Sequence, residues 1–350
     1  MVVSCTVLSA CVVMSSGGGS TSSAGGAAST SAGLESASAS TGGNGPSVQW
    51  VDSSPTACDG PDVTTLAQAV NPLYTRSSAT IVVDDTRVYW ADPGNNDNKG
   101  AILSVPRCGG AVTTIAPYQT STTTIATDGT YVYWANVAGF TPGLMRAPVT
   151  GAGPTTMLAP ASDASPYGIA LDATRIYWTG PGVVASMLKE GGPVTTLATN
   201  QSFELVDSAI AIDDTTVYWE VSGHIRSVPK AGGAAVDLAA TGSSPRFITV
   251  RGSSLYWYSD PSLFTVPTSG GAPVELTKAG ASGLAVDDTM LYWAADFGLG
   301  AEGKGYVAKL PTAGGPPQMM VSGENHPIGM AVDATHIYWI HDRSILTMKK

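Results

Sequence analysis

The feature that most constrains this chain is a Tyr-Trp pair that recurs seven times. The copies are Tyr89-Trp90, Tyr133-Trp134, Tyr177-Trp178, Tyr218-Trp219, Tyr256-Trp257, Tyr292-Trp293 and Tyr338-Trp339. Six of the seven close one phrase, best preserved as Ile169-Ala170-Leu171-Asp172-Ala173-Thr174-Arg175-Ile176-Tyr177-Trp178, with counterparts at 81–90, 125–134, 210–219, 284–293 and 330–339. The seventh, around Tyr256, is worn and carries Arg251 in place of the acid. Trp-to-Trp steps are 44, 44, 41, 38, 36 and 46 residues by subtraction. A period of this size specifies an array of like units and overrides the domain count that length alone suggests.

Each unit reads as four short strands. Residues 169–172 alternate large and small side chains, Asp172-Ala173-Thr174-Arg175 forms a turn, and Ile176-Tyr177-Trp178-Thr179 is the second strand. The Asp-x-Thr oxygens suit Asx and hydroxyl capping of a tight turn. A third strand follows and often ends at proline (Pro106, Pro229, Pro267, Pro311). A glycine turn comes next, such as Gly109-Gly110 or Gly232-Gly233, before a fourth strand such as 112–115 or 194–197. Paired glycines supply the positive φ of two-residue hairpins. Four antiparallel strands per ~40 residues predict a seven-bladed β-propeller. Tyr and Trp point to opposite faces of the second strand, so each blade presses one aromatic against each neighbour.

The final unit stops after its third strand. Val63-Thr64-Thr65-Leu66-Ala67 matches Val194-Thr195-Thr196-Leu197-Ala198 residue for residue, so the first folded strand is expected to complete the last blade and close the ring. The phrase Ile-Ala-Val-Asp followed by Tyr-Trp resembles the YWTD repeat of low-density-lipoprotein-receptor-type propellers, most closely at Tyr89-Trp90-Ala91-Asp92. That family has six blades. The Gly-Gly turns and a polar leader are more similar to uncharacterised bacterial lipoprotein propellers. Either resemblance implies a binding role and transfers no binding residue.

Residues 1–14 form an apolar segment containing Leu8-Ser9-Ala10-Cys11, similar to a lipobox that would leave Cys11 lipidated. Residues 15–57, rich in Gly, Ser, Ala and Thr over most of their length, read as a flexible tether, with the propeller over 58–350. The expected location is extracytoplasmic, lipid-anchored to a bacterial envelope or secreted. With Cys5 leaving in the signal, Cys58 and Cys108 remain as a possible disulfide suited to an oxidising compartment. A net charge of −10 argues against a nucleic-acid surface, and no 18-residue apolar run exists to span a bilayer.

Loops joining strands one–two and three–four are nearly identical across units, while those joining two–three and four–one vary. Variable loops are where recognition concentrates. The candidate ligand-binding residues there are Tyr118, Tyr167, Phe203, Arg246, Phe247, Phe297 and His326, aromatics mixed with charge that suit a glycan or peptide. His326, His341, Glu324 and Asp342 form a thinner constellation, which leaves open a metal-assisted lyase or hydrolase. Residues 92–100 hold Asp92, Asn95, Asn96, Asp97 and Asn98, and fit an Asn-rich turn better than a calcium loop. No catalytic motif is present. The sequence therefore favours a binding or scaffold propeller over an enzyme, monomeric and without cofactor. The partner is a protein, peptide or glycan, and the membrane is met only through lipid.

Overall fold

A computed structural model describes residues 50–52, 62–69, 81–92, 94, 100–119, 121–137, 142–162, 164–201, 210–242, 245–296, 304–342 and 344–350. They form seven antiparallel sheets, six with four strands and one with five. No helix occurs among the described residues. The chain is a seven-bladed β-propeller of four-stranded blades. Blade three is representative: Gly168–Leu171, Arg175–Gly180, Gly182–Leu188 and Thr195–Gln201 lie side by side in chain order. The first strands of successive blades neighbour one another around a closed circle, from Ile81–Val83 round to Pro327–Val332.

Closure follows the repeat arithmetic. Blade seven takes Pro327–Val332, His336–His341 and Ser344–Lys349 from the end of the chain and Thr64–Ala69 from its start, with Thr64 opposite Thr347 and Gln68 opposite Ser344. Leu66 and Ala67 on that strand are fully buried. A short strand, Trp50–Asp52, then lies on the outer edge of Thr64–Ala69 as a fifth strand. It falls within the stretch read as tether. An open strand edge pairs readily with an extended segment of aromatic and β-branched residues, and the compositional reading overlooked this.

Each joint between blades holds one Trp and one Tyr. Tyr89 packs with Trp134, Tyr133 with Trp178, Tyr177 with Trp219, Tyr218 with Trp257, Tyr256 with Trp293, and Tyr292 with Trp339. Trp90 meets Tyr338 across the closure. None of the seven Trp side chains is more than 2% exposed. Burying one removes roughly 150–250 Å² from water, worth on the order of 4–6 kcal/mol as an upper bound. The aromatic pair is therefore the mortar of the ring.

The turn acid does more than cap. One oxygen of Asp172 accepts the Thr174 N–H (2.9 Å) and the Arg175 N–H (2.8 Å), and the other accepts the Tyr177 hydroxyl (2.8 Å). Asp84, Asp128, Asp213, Asp287 and Asp333 repeat the pattern. At four of these acids a cation from the next blade reaches the same carboxylate: Arg107 to Asp333 (2.5 Å), Lys189 to Asp128 (3.0 Å), Lys230 to Asp172 (3.0 Å) and Lys350 to Asp287 (2.5 Å). Burial opposes the charge on Asp172. Hydrogen bonds from Thr174, Tyr177 and Lys230 outweigh it and hold the carboxyl well below its usual range. The same balance takes Asp287 to about 2. Tyr218 is pushed up to about 12 by burial first and by its bond to Asp213 second. In blade five Arg251 has turned outward to Asp288 of the next blade at 2.6 Å, so the worn unit exchanges its cap for a cross-blade ion pair.

Candidate functional site

The two faces of the ring differ as the loop comparison predicts. On one face, glycine pairs such as Gly109-Gly110, Gly191-Gly192 and Gly314-Gly315 hold φ near +90° and then +120° to +140°, a turn closed to residues with a side chain. The opposite face carries all seven non-glycine residues that the described chain holds at positive φ: Tyr118, Ser121, Asn200, Ser222, Phe247, His326 and Asp342. Three of these, Tyr118 (φ 60°), Phe247 (φ 55°) and His326 (φ 49°), are candidate binding residues from the sequence. Left-handed backbone at bulky residues is costly and gathers where function over-determines it.

The candidates divide by position. Tyr118 is exposed and Arg246 is exposed, while Tyr167 and Phe247 are half-buried. Phe247 packs against the buried cluster at the joint of blades five and six that includes Tyr256, Tyr258 and Trp293. Arg246 sits opposite Tyr258, whose hydroxyl donates to Asp260 at 2.7 Å. Tyr167 anchors the mouth of blade three through its backbone N–H, which donates to the Thr179 carbonyl. Phe203, Phe297, Cys11 and Cys58 lie outside the described residues, as do Asn95 to Asn98. Cys108 is disulfide-bonded.

At the joint of blades six and seven the structure assembles two histidine–acid pairs. Glu324 is buried. Its Oε2 accepts the Trp339 indole N–H at 3.0 Å and lies 2.8 Å from His341 Nδ1. Burial opposes its charge, and the His341 and Trp339 hydrogen bonds overcome that, so its pKa falls below the usual glutamate range. The Asn325 N–H donates to His341 Nε2 at 3.2 Å. A lone pair is therefore needed at Nε2, and the proton sits on Nδ1 facing Glu324. Both nitrogens of His341 are thus engaged. His326 differs: Nδ1 lies 3.1 Å from Asp296 Oδ2, and 37% of the side chain is exposed. Asp342, grouped with these from sequence, lies in the hairpin beyond His341, and Asp296 takes the expected place beside His326. No group of three His, Cys, Asp or Glu able to hold a metal ion occurs among the described residues.

Sequence reasoning missed the acceptors that cap the buried indoles on this face. Gln119 Oε1 takes the N–H of Trp134 at 2.9 Å and that of Asn136 at 2.8 Å, and Gln201 Oε1 takes Trp219 at 3.1 Å. Gln119, Gln201 and Glu324 all lie at or just past the end of the preceding blade's outer strand. They precede their Trp by 15, 18 and 15 residues, a spacing visible in the sequence.

No protein-family model matches the chain, and no curated protein matches it. Solved structures do. The extracellular domain of a protein from B. thetaiotaomicron described as a one component system overlays with a TM-score of 0.59 at 13% identity, covering 82% of this chain and 40% of that one. PorZ, a bacterial surface component of the type-IX secretion system of Porphyromonas gingivalis, gives 0.57 at 14%, with 81% and 37% covered. An oligogalacturonate lyase from Vibrio parahaemolyticus gives 0.60 at 11%, with 87% and 97% covered. The chain spans well under half the length of the first two. At these identities the likeness defines the propeller fold and nothing finer.

Proposed function

We propose that this is an extracytoplasmic binding or scaffold propeller that captures a glycan or peptide on its variable-loop face. The observation that carries the reading is the set Tyr118, Phe247 and His326, each held in left-handed backbone on one face while the other face is built of interchangeable turns. The YWTD-like phrase supports a binding role. The bonded state of Cys108 supports an oxidising compartment. The Leu8-Ser9-Ala10-Cys11 segment and the polar stretch after it support a lipid anchor. No helix among the described residues is long and apolar enough to cross a membrane.

The test is a glycan and peptide array probed with the full chain, followed by titration of the best capture. Failure to retain any glycan or peptide at roughly micromolar affinity would remove the reading. A second reading, hydrolysis or elimination at the same face, is favoured by the Asp296–His326 pair, because a carboxylate accepting from Nδ1 leaves the lone pair on Nε2 to act as a base. In that case His326→Ala abolishes turnover of a captured compound and leaves its binding intact.

A further inference from the structure

A second surface lies away from the variable face, on the outer rim between blades six and seven. An open pocket of about 300 Å³ is lined there by Met319, Met320, Met348, Lys309, Lys349 and Lys350. Met319 is the most exposed large apolar side chain among the described residues, at 59%. The chain has only 17 Lys and Arg against 27 Asp and Glu, and ion pairs tie several of the described cations to an acid of a neighbouring blade. Lys350 is itself tied to Asp287. Lys309 and Lys349 have no ion pair among the described residues. Two unneutralised ammonium groups beside the exposed Met319 and half-buried Met320 and Met348, on a strongly acidic protein, make a local field that favours carboxylates.

The backbone at this place is also open. Gln318–Glu324 is the outer strand of blade six, and among the described residues no strand pairs with its free edge. Four other outer strands carry edge-blunting residues, while Thr195–Gln201 of blade three has neither charge nor proline. Of the four, Thr113–Pro117 and Thr156–Pro160 end in proline, and Val236–Ala240 and Val274–Lys278 carry Asp237, Glu275 and Lys278. Gln318–Glu324 opens instead with Gln318, Met319 and Met320 and bears no charge before Glu324. The next blade shows what such an edge accepts, because Trp50–Asp52 adds there as a fifth antiparallel strand.

We propose that the outer edge of blade six is a docking site for an extended acidic segment of a partner protein. The segment adds as a strand along Gln318–Glu324, sets an apolar side chain among Met319, Met320 and Met348, and places carboxylates at Lys309 and Lys349. Main-chain hydrogen bonds supply the affinity, and the alternation of acid and apolar side chains supplies the selection.

The experiment is fluorescence anisotropy of the full chain with a labelled peptide, Glu-Val-Glu-Leu-Glu-Val-Glu. Three comparisons accompany it: the same peptide with Gln for every Glu, the same peptide N-methylated at alternate amides, and vesicles rich in anionic lipid. The expected result is saturable binding that weakens at least tenfold for the Gln peptide and for the Lys309→Gln/Lys349→Gln protein, and is lost on N-methylation. Met319→Ser should also weaken it, with unfolding unchanged. Absence of binding up to roughly millimolar peptide overturns the proposal. So does equal binding of the N-methylated peptide, or lysine-dependent capture by vesicles with none by peptide. Because Lys309, Lys349 and Met319 lie at the end of the strand away from Glu324 and the variable face, their substitution leaves ligand capture there unaffected in either case.

Discussion

Replacing Asp287 tests whether the turn acids clasp neighbouring blades together. The carboxylate accepts the Thr289 N–H (2.8 Å), the Met290 N–H (2.8 Å) and the Tyr292 hydroxyl (3.1 Å), and Lys350 of blade seven binds it. Only 19% of the side chain is exposed. Its pKa falls from 3.8 to about 2, burial being outweighed by Lys350 and the two N–H groups. Such a shift corresponds to about 2 kcal/mol favouring the charged, folded form. Asp287→Asn keeps an acceptor for the turn but loses the charge, so it should cost about 2 kcal/mol at pH 7. Asp287→Ala also strips the turn, for about 3–4 kcal/mol. The folded pKa is depressed, so this stability is fully present above the unfolded value near 4 and is lost as pH falls through about 2. Calorimetry at pH 7 should show a loss of about 4–8 °C for the Asn variant, and a gap to wild type that narrows as pH falls from 4 to 2. An Asn variant that melts with wild type at pH 7, or a gap that does not change with pH, would refute the clasp.

Three further outcomes follow from the same geometry. Arg251→Asp should be near neutral alone, since it exchanges a surface ion pair with Asp288 for a turn cap. Arg251→Asp with Thr312→Lys should rebuild the missing clasp and show a favourable coupling of about 1 kcal/mol in a double-mutant cycle, because Thr312 occupies the position of Lys189 and Lys230. Deleting residues 1–69 should lower the melting temperature far more than deleting 1–46, because only the first removes the buried Leu66 and Ala67; equal values would exclude closure by that strand. Gly283→Ala should destabilise by more than about 2 kcal/mol in urea unfolding, since a Cβ there would stand 2.6 Å from the Gly329 carbonyl carbon and force the inner strands of blades six and seven apart. A neutral effect would show that the joint has slack.

Much of the fold is legible because one period encodes it. Tyr177 and Trp178 announce the strand, its two faces and both joints at once, and Asp172 announces the turn. Lys230 was not legible as the partner of Asp172, since 58 residues separate them and the equivalent position holds Arg107, Val149 or Thr268 in other blades. The site is less legible for a related reason. Loop residues are free of the repeat, so nothing in the sequence marks Phe247 or His326 as left-handed, and neither is glycine or asparagine. Variation between loops marks the face proposed for binding. Only coordinates reveal that Glu324 and His341 pair and that Asp296, not Asp342, stands beside His326.

The most direct test of the binding face compares two double substitutions in one capture assay. Tyr167→Ala with Phe247→Ala alters the variable face, Phe247 where it covers the joint of blades five and six, and Arg175→Ala with Thr216→Ala alters the uniform face. Surface plasmon resonance against the array-selected ligand should show capture abolished by the first pair and unchanged by the second, with both proteins folded by circular dichroism. Capture that survives loss of Tyr167 and Phe247 but fails with Arg175 and Thr216 would place the working surface on the opposite side of the ring.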